Sequence, residues 1–127
     1  DAVFGVQPPP AALRIRELVH NAFFSGDHAT HFYVLAGPDF LVGPDVDAAQ
    51  RNILGIVSKV GLTIGRRVIQ HLQEAHEVVS MLGGRFVHPV LGLPGGVAKA
   101  VTPEMQQRLI ELGEHFVPLV LSDLPPW

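Results

Sequence analysis

A chain of 127 residues is long enough for one domain with a modest core. Its formal net charge of −3, with Lys and Arg scattered apart from Arg66-Arg67, gives no basic footprint for nucleic acid. It has no cysteine, which excludes a disulfide, a thiolate metal site and a cysteine nucleophile within these residues.

Apolar residues make up 47% of the chain and charged ones only 17%, against about 25% charged in an average domain. Mean hydropathy is +0.29. So small a chain leaves much of its surface open, and this composition predicts that part of that surface is covered by other protein. A membrane span needs about 20 consecutive apolar residues, and Asp, Glu, Arg, His or Gln interrupts every stretch before that length. A charged n-region with an apolar h-region, the mark of a signal peptide, is likewise absent. The opening Asp1-Ala2-Val3-Phe4-Gly5-Val6-Gln7-Pro8 lacks an initiator Met and reads like a helix end running into a loop. The chain is therefore expected to be an internal piece of a larger soluble protein.

In chain order, Pro8-Pro9-Pro10 stops what precedes it and opens a helix predicted over about 11–36. Gly37-Pro38 should end this helix, and 39–44 should form a loop. A second long helix is predicted over about 45–82, with Asp45 and Asp47 favourable at its start. Its apolar stripe is Ile53, Ile56, Val57, Val60, Ile64, Val68, Leu72, Ala75, Val79 and Leu82, with Gly61 and Gly65 as points of kinking or splitting. Gly83-Gly84 supplies the stop. Over 85–100 Gly and Pro recur every few residues, which predicts one or two short strands with tight turns, a hairpin-like insert. Thr102-Pro103 then starts a third helix, predicted over about 103–121 with a kink or end at Pro118, and Pro125-Pro126-Trp127 closes the chain. The fold class is mainly α: three long helices of a bundle plus the insert.

Within the first helix, Glu17, His20, Phe24, Asp27 and His31 recur at steps of three and four and share one face. The surrounding sequence is rich in Leu, Val, Phe and Ala, so this face is expected to enter an interface. There its carboxylates and imidazoles must be paired, because burying them alone costs several kcal/mol each. The file marks either a structural network or the wall of a chemical site. Gly26 beside Asp27 marks a place where something approaches closely.

Metal readings are thinner. Glu17-Leu18-Val19-His20 is one Glu-x-x-His step, and a di-iron bundle needs two plus further Glu ligands; Glu74-Ala75-His76 and Glu114-His115 have the wrong spacing. His28 with His31, or Asp27 with His31, can share a metal on a helix face, but no third and fourth ligand lies nearby in sequence. Gly83-Gly84-Arg85 and Pro94-Gly95-Gly96-Val97 match neither phosphate-loop pattern; their glycines serve backbone conformation and close packing. No Gly-x-Ser-x-Gly elbow is present.

Four stretches together resemble the large subunit of nickel–iron hydrogenases, in order and spacing, over essentially the whole chain. They are Asp1-Ala2-Val3-Phe4-Gly5-Val6-Gln7-Pro8-Pro9; Ile15-Arg16-Glu17-Leu18; Asp27-His28-Ala29-Thr30-His31-Phe32-Tyr33 with Leu35 and Pro38-Asp39; and Gly83-Gly84-Arg85 through His88-Pro89 to Pro94-Gly95-Gly96-Val97. The run Leu35-Ala36-Gly37-Pro38-Asp39-Phe40 and the run Leu93-Pro94-Gly95-Gly96-Val97 look closest to the cytosolic, cofactor-coupled subgroups, which implies a cytoplasmic location.

The resemblance implies reversible cleavage of H2 into protons and electrons at a nickel–iron centre whose iron carries CO and cyanide. It also implies two partners, an iron–sulfur small subunit and the rest of the large subunit. In the family two Cys-x-x-Cys motifs hold the metals, one shortly before the part matching Asp1 and one near the C-terminus. Neither occurs here, nor can a family Glu near the first motif or an Arg near the centre be placed. The chain alone is expected to bind none of the metal centre and to be inactive.

By the same resemblance Asp27 matches an aspartate that sits over the metals, close to where H2 meets them. Position alone adds Glu17, His20 and His31 as supports of that network and His88 as a second buried polar contact. The alternative function is a non-catalytic helical scaffold or subunit-contact module related to hydrogenases. A carboxylate-bridged metal bundle is a third reading.

Overall fold

A computed structural model describes residues 1–122 of the chain, with side chains through Phe116; the expected close at Pro125-Pro126-Trp127 lies outside the described residues. Helix α1 spans Pro10–Ala29 with proline in its first turn, where the missing N–H costs nothing. Its buried residues Ala12, Val19, Ala22 and Gly26 recur at helical spacing and form the stripe that lies on helix α3 (Leu62–Gly83). Two of the predicted element bounds are corrected by the structure. Helical winding does not end at Gly37-Pro38 but widens into π-type turns over Thr30–Ala36 and Pro38–Val42. Gly37 keeps helical dihedrals (φ −53°, ψ −40°), and a Cβ there would stand 2.9 Å from Ile56 Cδ1 and 3.2 Å from the Phe32 carbonyl oxygen. Glycine thus lets the backbone pass close under helix α2 (Ile53–Val60), and the real stop is Gly43 at φ +120°, a conformation that favours glycine.

The other corrected bound is the start of the next helix, which begins at Ile53 rather than near Asp45. Asp47 accepts from the Ala49 N–H at 2.9 Å, a local bond that competes with helix formation. The cap is Asn52, whose Oδ1 accepts from the Leu54 and Gly55 N–H groups at 2.9 and 3.1 Å. The helix then splits at Gly61 (φ +90°) into α2 and α3, one of the two glycines read as breaking points.

Val19 and Ala22 of α1, Val78, Val79 and Leu82 of α3, and Leu112 of helix α4 (Pro103–Ser122) form the core, packed by Ile15, Met81, Phe86, Leu91, Met105 and Phe116 among others. Thr102 caps α4, its Oγ accepting from the Met105 N–H at 3.3 Å. Arg108 binds Glu77 through Nε and Nη2 at 2.8 and 2.9 Å and joins α4 to α3. That fork holds the Glu77 carboxyl below the usual carboxylate range. Between α3 and α4 the insert carries strands β1 (Gly92–Leu93) and β2 (Gly96–Val97), antiparallel with Gly92 opposite Val97 and Leu93 opposite Gly96. Pro94-Gly95 turns the hairpin with Gly95 at φ +79°, the pairing a tight turn with one positive φ calls for. The architecture is thus mainly helical with a small hairpin, as the sequence pattern predicts.

Candidate functional site

At the middle of the α1–α3 crossing Gly26 meets Ala75: a Cβ on Gly26 would lie 3.2 Å from the Ala75 Cβ. The close approach read from Gly26 is thus made by helix α3. Beside this contact opens a cleft of about 90 Å³ lined by Phe23, Asp27, Thr30, His76 and Phe86 among others. Phe86 stacks on His76 with centroids 3.7 Å apart and on Phe23 at 6.4 Å, so the walls are aromatic. Asp27 supplies the carboxylate, its side chain 41% exposed.

The helix changes its winding directly after Asp27. The Gly26 carbonyl oxygen accepts from both the N–H and the hydroxyl of Thr30, and such back-bonding bends helices. The π-type turns that begin at Thr30 are a form that is rare in general and frequent at functional sites.

Of the polar file, His31 is brought to Asp27: its Nδ1 lies 2.9 Å from the Asp27 carbonyl oxygen and 3.4 Å from Oδ2. His28 Nδ1 likewise faces the Phe24 carbonyl at 2.7 Å. A ring nitrogen that faces a carbonyl oxygen carries the hydrogen, which leaves Nε2 as the acceptor in the neutral ring. His20 stands edge-on to Phe24 at 4.4 Å. Glu17, His20, Phe24 and His31 are exposed in this chain and Asp27 is half-buried, so the file is an open face rather than a network buried within these residues. His88 stands apart from it. Its side chain is exposed, its backbone is left-handed at φ +54°, and its carbonyl accepts from Arg85 Nε at 2.9 Å. No contact links His88 to the file among the described residues.

Two features depend on packing between elements. His76 and Phe86 wall the cleft from α3 and the insert, and only the packing of α3 against α1 reveals it. His71 is the other: 4% exposed, it pairs through Nε2 with Ser25 Oγ at 2.9 Å and meets Phe116 edge-on at 4.8 Å. Burial pushes the imidazole below its ordinary value, against the opposing pull of the Ser25 backbone and the charge of Glu74. Glu74 is held by Gln70 at 2.8 Å and His115 at 3.1 Å.

A lowered folded-state value means that the unfolded chain binds the proton more tightly. The His71 contribution to stability is therefore complete above the unfolded imidazole value, near pH 6.5, and declines as pH falls below it. His71→Leu should flatten the fall in urea-unfolding free energy between about pH 6.5 and 5, measured on both proteins across that range. An equally steep fall in the variant would remove the assignment.

As for metals, the described residues contain no group of three or more His, Asp or Glu placed to hold an ion, and the chain offers no thiolate. The shared-ion reading of Asp27, His28 and His31 and the carboxylate-bridged bundle find no completing ligands there. A nickel–iron centre, which the resemblance implies, does not fit the donors of this chain.

This helical fold with an aspartate-bearing cleft at a glycine crossing is related in sequence and structure to hydrogenase subunits. The chain is 42% identical over 119 residues to an iron-sulfur subunit of the F420-non-reducing hydrogenase of Archaeoglobus profundus, covering 94% of this chain and 24% of that protein. It is 39% identical over 117 residues to a vhu subunit of the F420-non-reducing hydrogenase of Methanocaldococcus jannaschii, covering 92% and 28%. The crystal structure of an NAD+-reducing [NiFe]-hydrogenase in the H2-reduced state superposes with a TM-score of 0.78 at 31% identity, over 87% of this chain and 24% of that one. The chain thus spans about a quarter of the length of these relatives. No protein-family model matches it. Among the described residues no helix is long and apolar enough to cross a membrane.

Proposed function

We propose that this chain is an internal segment of the large subunit of a cytoplasmic nickel–iron hydrogenase, which cleaves H2 reversibly. The observation that carries the reading is the 42% identity to a hydrogenase subunit over 94% of the chain, with Asp27 set in the cleft where α1 crosses α3. In this reading nickel and iron are held by cysteines elsewhere in the large subunit, and this segment supplies framework and the polar groups beside them. The partners are an iron–sulfur small subunit and the rest of the large subunit. Their surfaces would cover apolar side chains that are exposed here, among them Leu18, Phe24, Phe40, Leu54, Leu62 and Ile69.

The chain's own chemistry is that of one positioned carboxylate. Asp27 Oδ2 holds a proton or orders water at the mouth of the cleft, and can pair with a guanidinium from another segment. His31 fixes the backbone on which the carboxylate stands. Phe23, Phe86 and His76 give the cleft beside it aromatic walls. Acting alone, the segment holds no metals and is inactive.

The test is the protein from the complete reading frame with its small-subunit partner, assayed for H2-dependent dye reduction and for nickel and iron. Nickel with H2 turnover is the expected result. Folded complex with neither would leave the second reading, a non-catalytic subunit-contact module.

A further inference from the structure

Arg16 lies in one of the stretches that carry the hydrogenase resemblance, yet it takes no part in the Asp27 cleft. Its guanidinium joins three regions far apart in sequence. Nη1 binds Asp1 Oδ2 at 2.6 Å, and Nη2 donates to the Leu93 and Gly96 carbonyl oxygens at 2.7 and 2.5 Å. The circle closes through Asp1 Oδ1, which accepts from the Gly95 N–H at 2.9 Å. The Arg16 and Asp1 side chains are 25% and 29% exposed, sheltered for an ion pair between a helix and a loop.

The guanidinium serves the carboxylate from Nη1 and the two carbonyls from Nη2, a spread that the single nitrogen of a lysine does not match. Segment 1–7 has little else to hold it. Val3, Phe4 and Val6 are exposed, its internal bonds are those of one short turn from Asp1 and Ala2, and Val6 lies beside Gly95 of the hairpin.

We infer that Arg16 is a positioning residue. Through Asp1 and the hairpin it sets the course of segment 1–7 against α1, and so aligns the helix carrying Asp27 with the chain that enters at Asp1. The consequence for turnover rests on the hydrogenase reading; the tether itself does not.

The test uses the complete large subunit with Arg16→Gln, Arg16→Lys and Asp1→Ala, read first by hydrogen exchange on metal-free protein. Arg16→Gln should speed exchange about tenfold or more at Phe4, Gly5, Val6 and Gly95, because hydrogen bonds to a charged group are lost. Core amides at Val19 and Val79 should stay unchanged. Arg16→Lys should keep the Asp1 contact and loosen only the hairpin; Asp1→Ala, which removes both acceptor oxygens, should free segment 1–7 and Gly95. In the assembled enzyme kcat should fall with the variants that free segment 1–7 and recover in Arg16→Lys, with KM unchanged. Wild-type exchange rates in Arg16→Gln would overturn the tether. Faster exchange at full kcat would overturn the positioning role. A wild-type complex without H2 turnover that shows the expected exchange pattern would sink the hydrogenase reading instead and leave the tether standing.

Discussion

Asp27→Asn in the complete enzyme should lower H2 turnover by about two orders of magnitude while nickel and iron contents stay at the wild-type level. The size follows from the usual contribution of a positioned proton-transfer group, about 10²–10⁴-fold. Asparagine keeps the shape and the hydrogen-bonding reach of the side chain but can neither take up a proton nor bear a charge. The fold should tolerate the change, because the carboxylate is partly open and its neighbours in the cleft are Phe23, Thr30, His76 and Phe86. The His31 bond is to the Asp27 backbone carbonyl and survives it. Turnover and metal analysis on the same preparation decide the matter. Wild-type turnover would remove the role given to Asp27, and lost metals would make it a folding or assembly residue.

The second large effect is on stability. Gly83 is buried at the end of α3, and a Cβ there would overlap the Pro89 ring and lie 3.2 Å from its Cα. The Gly83 carbonyl also accepts from the Val90 N–H at 3.0 Å, so the first turn of the insert is folded onto this residue. Gly83→Ala should destabilise by about 1–3 kcal/mol, the cost of overpacking a filled site, with faster exchange at Val90.

Gly113→Ala is the control. Gly113 lies in α4 with nothing within 4 Å of its Cβ position, so it should gain about 0.5–1 kcal/mol, the ordinary difference between Gly and Ala in a helix. Urea unfolding of both variants measures the contrast. Equal effects would mean that the Pro89 contact yields without cost.

Some of this molecule was legible from residue order. Apolar spacing along 11–36 and 103–121 marked α1 and α4. Thr102 marked a cap, Gly61 a breaking point, and the Gly/Pro run at 85–100 the hairpin. These signals are local: a cap, a missing donor or a positive φ acts within a few residues.

The misplaced bounds were non-local or competitive. The stop expected at Gly37-Pro38 failed because Ile56, some twenty residues on, packs against Gly37 and supports continued winding. The start expected at Asp45 failed because the Asp47 side chain serves the Ala49 N–H instead of a helix. The candidate site divides along the same line. Spacing placed Asp27 and His31 on one face, and the role proposed for Asp27 rests on resemblance.

What the sequence by itself determined was a mainly helical chain, free of thiol chemistry, with its acidic and imidazole groups along one helix. Tertiary structure alone decided that Gly26 meets Ala75, that Phe86 and His76 wall the cleft beside Asp27, that His71 is buried on Ser25, and that Arg16 gathers Asp1 and the hairpin. Each of these joins residues 15 or more positions apart. Helical period says which residues share a face but not which face of another helix will cover them, since that depends on the crossing of whole helices packed ridge into groove.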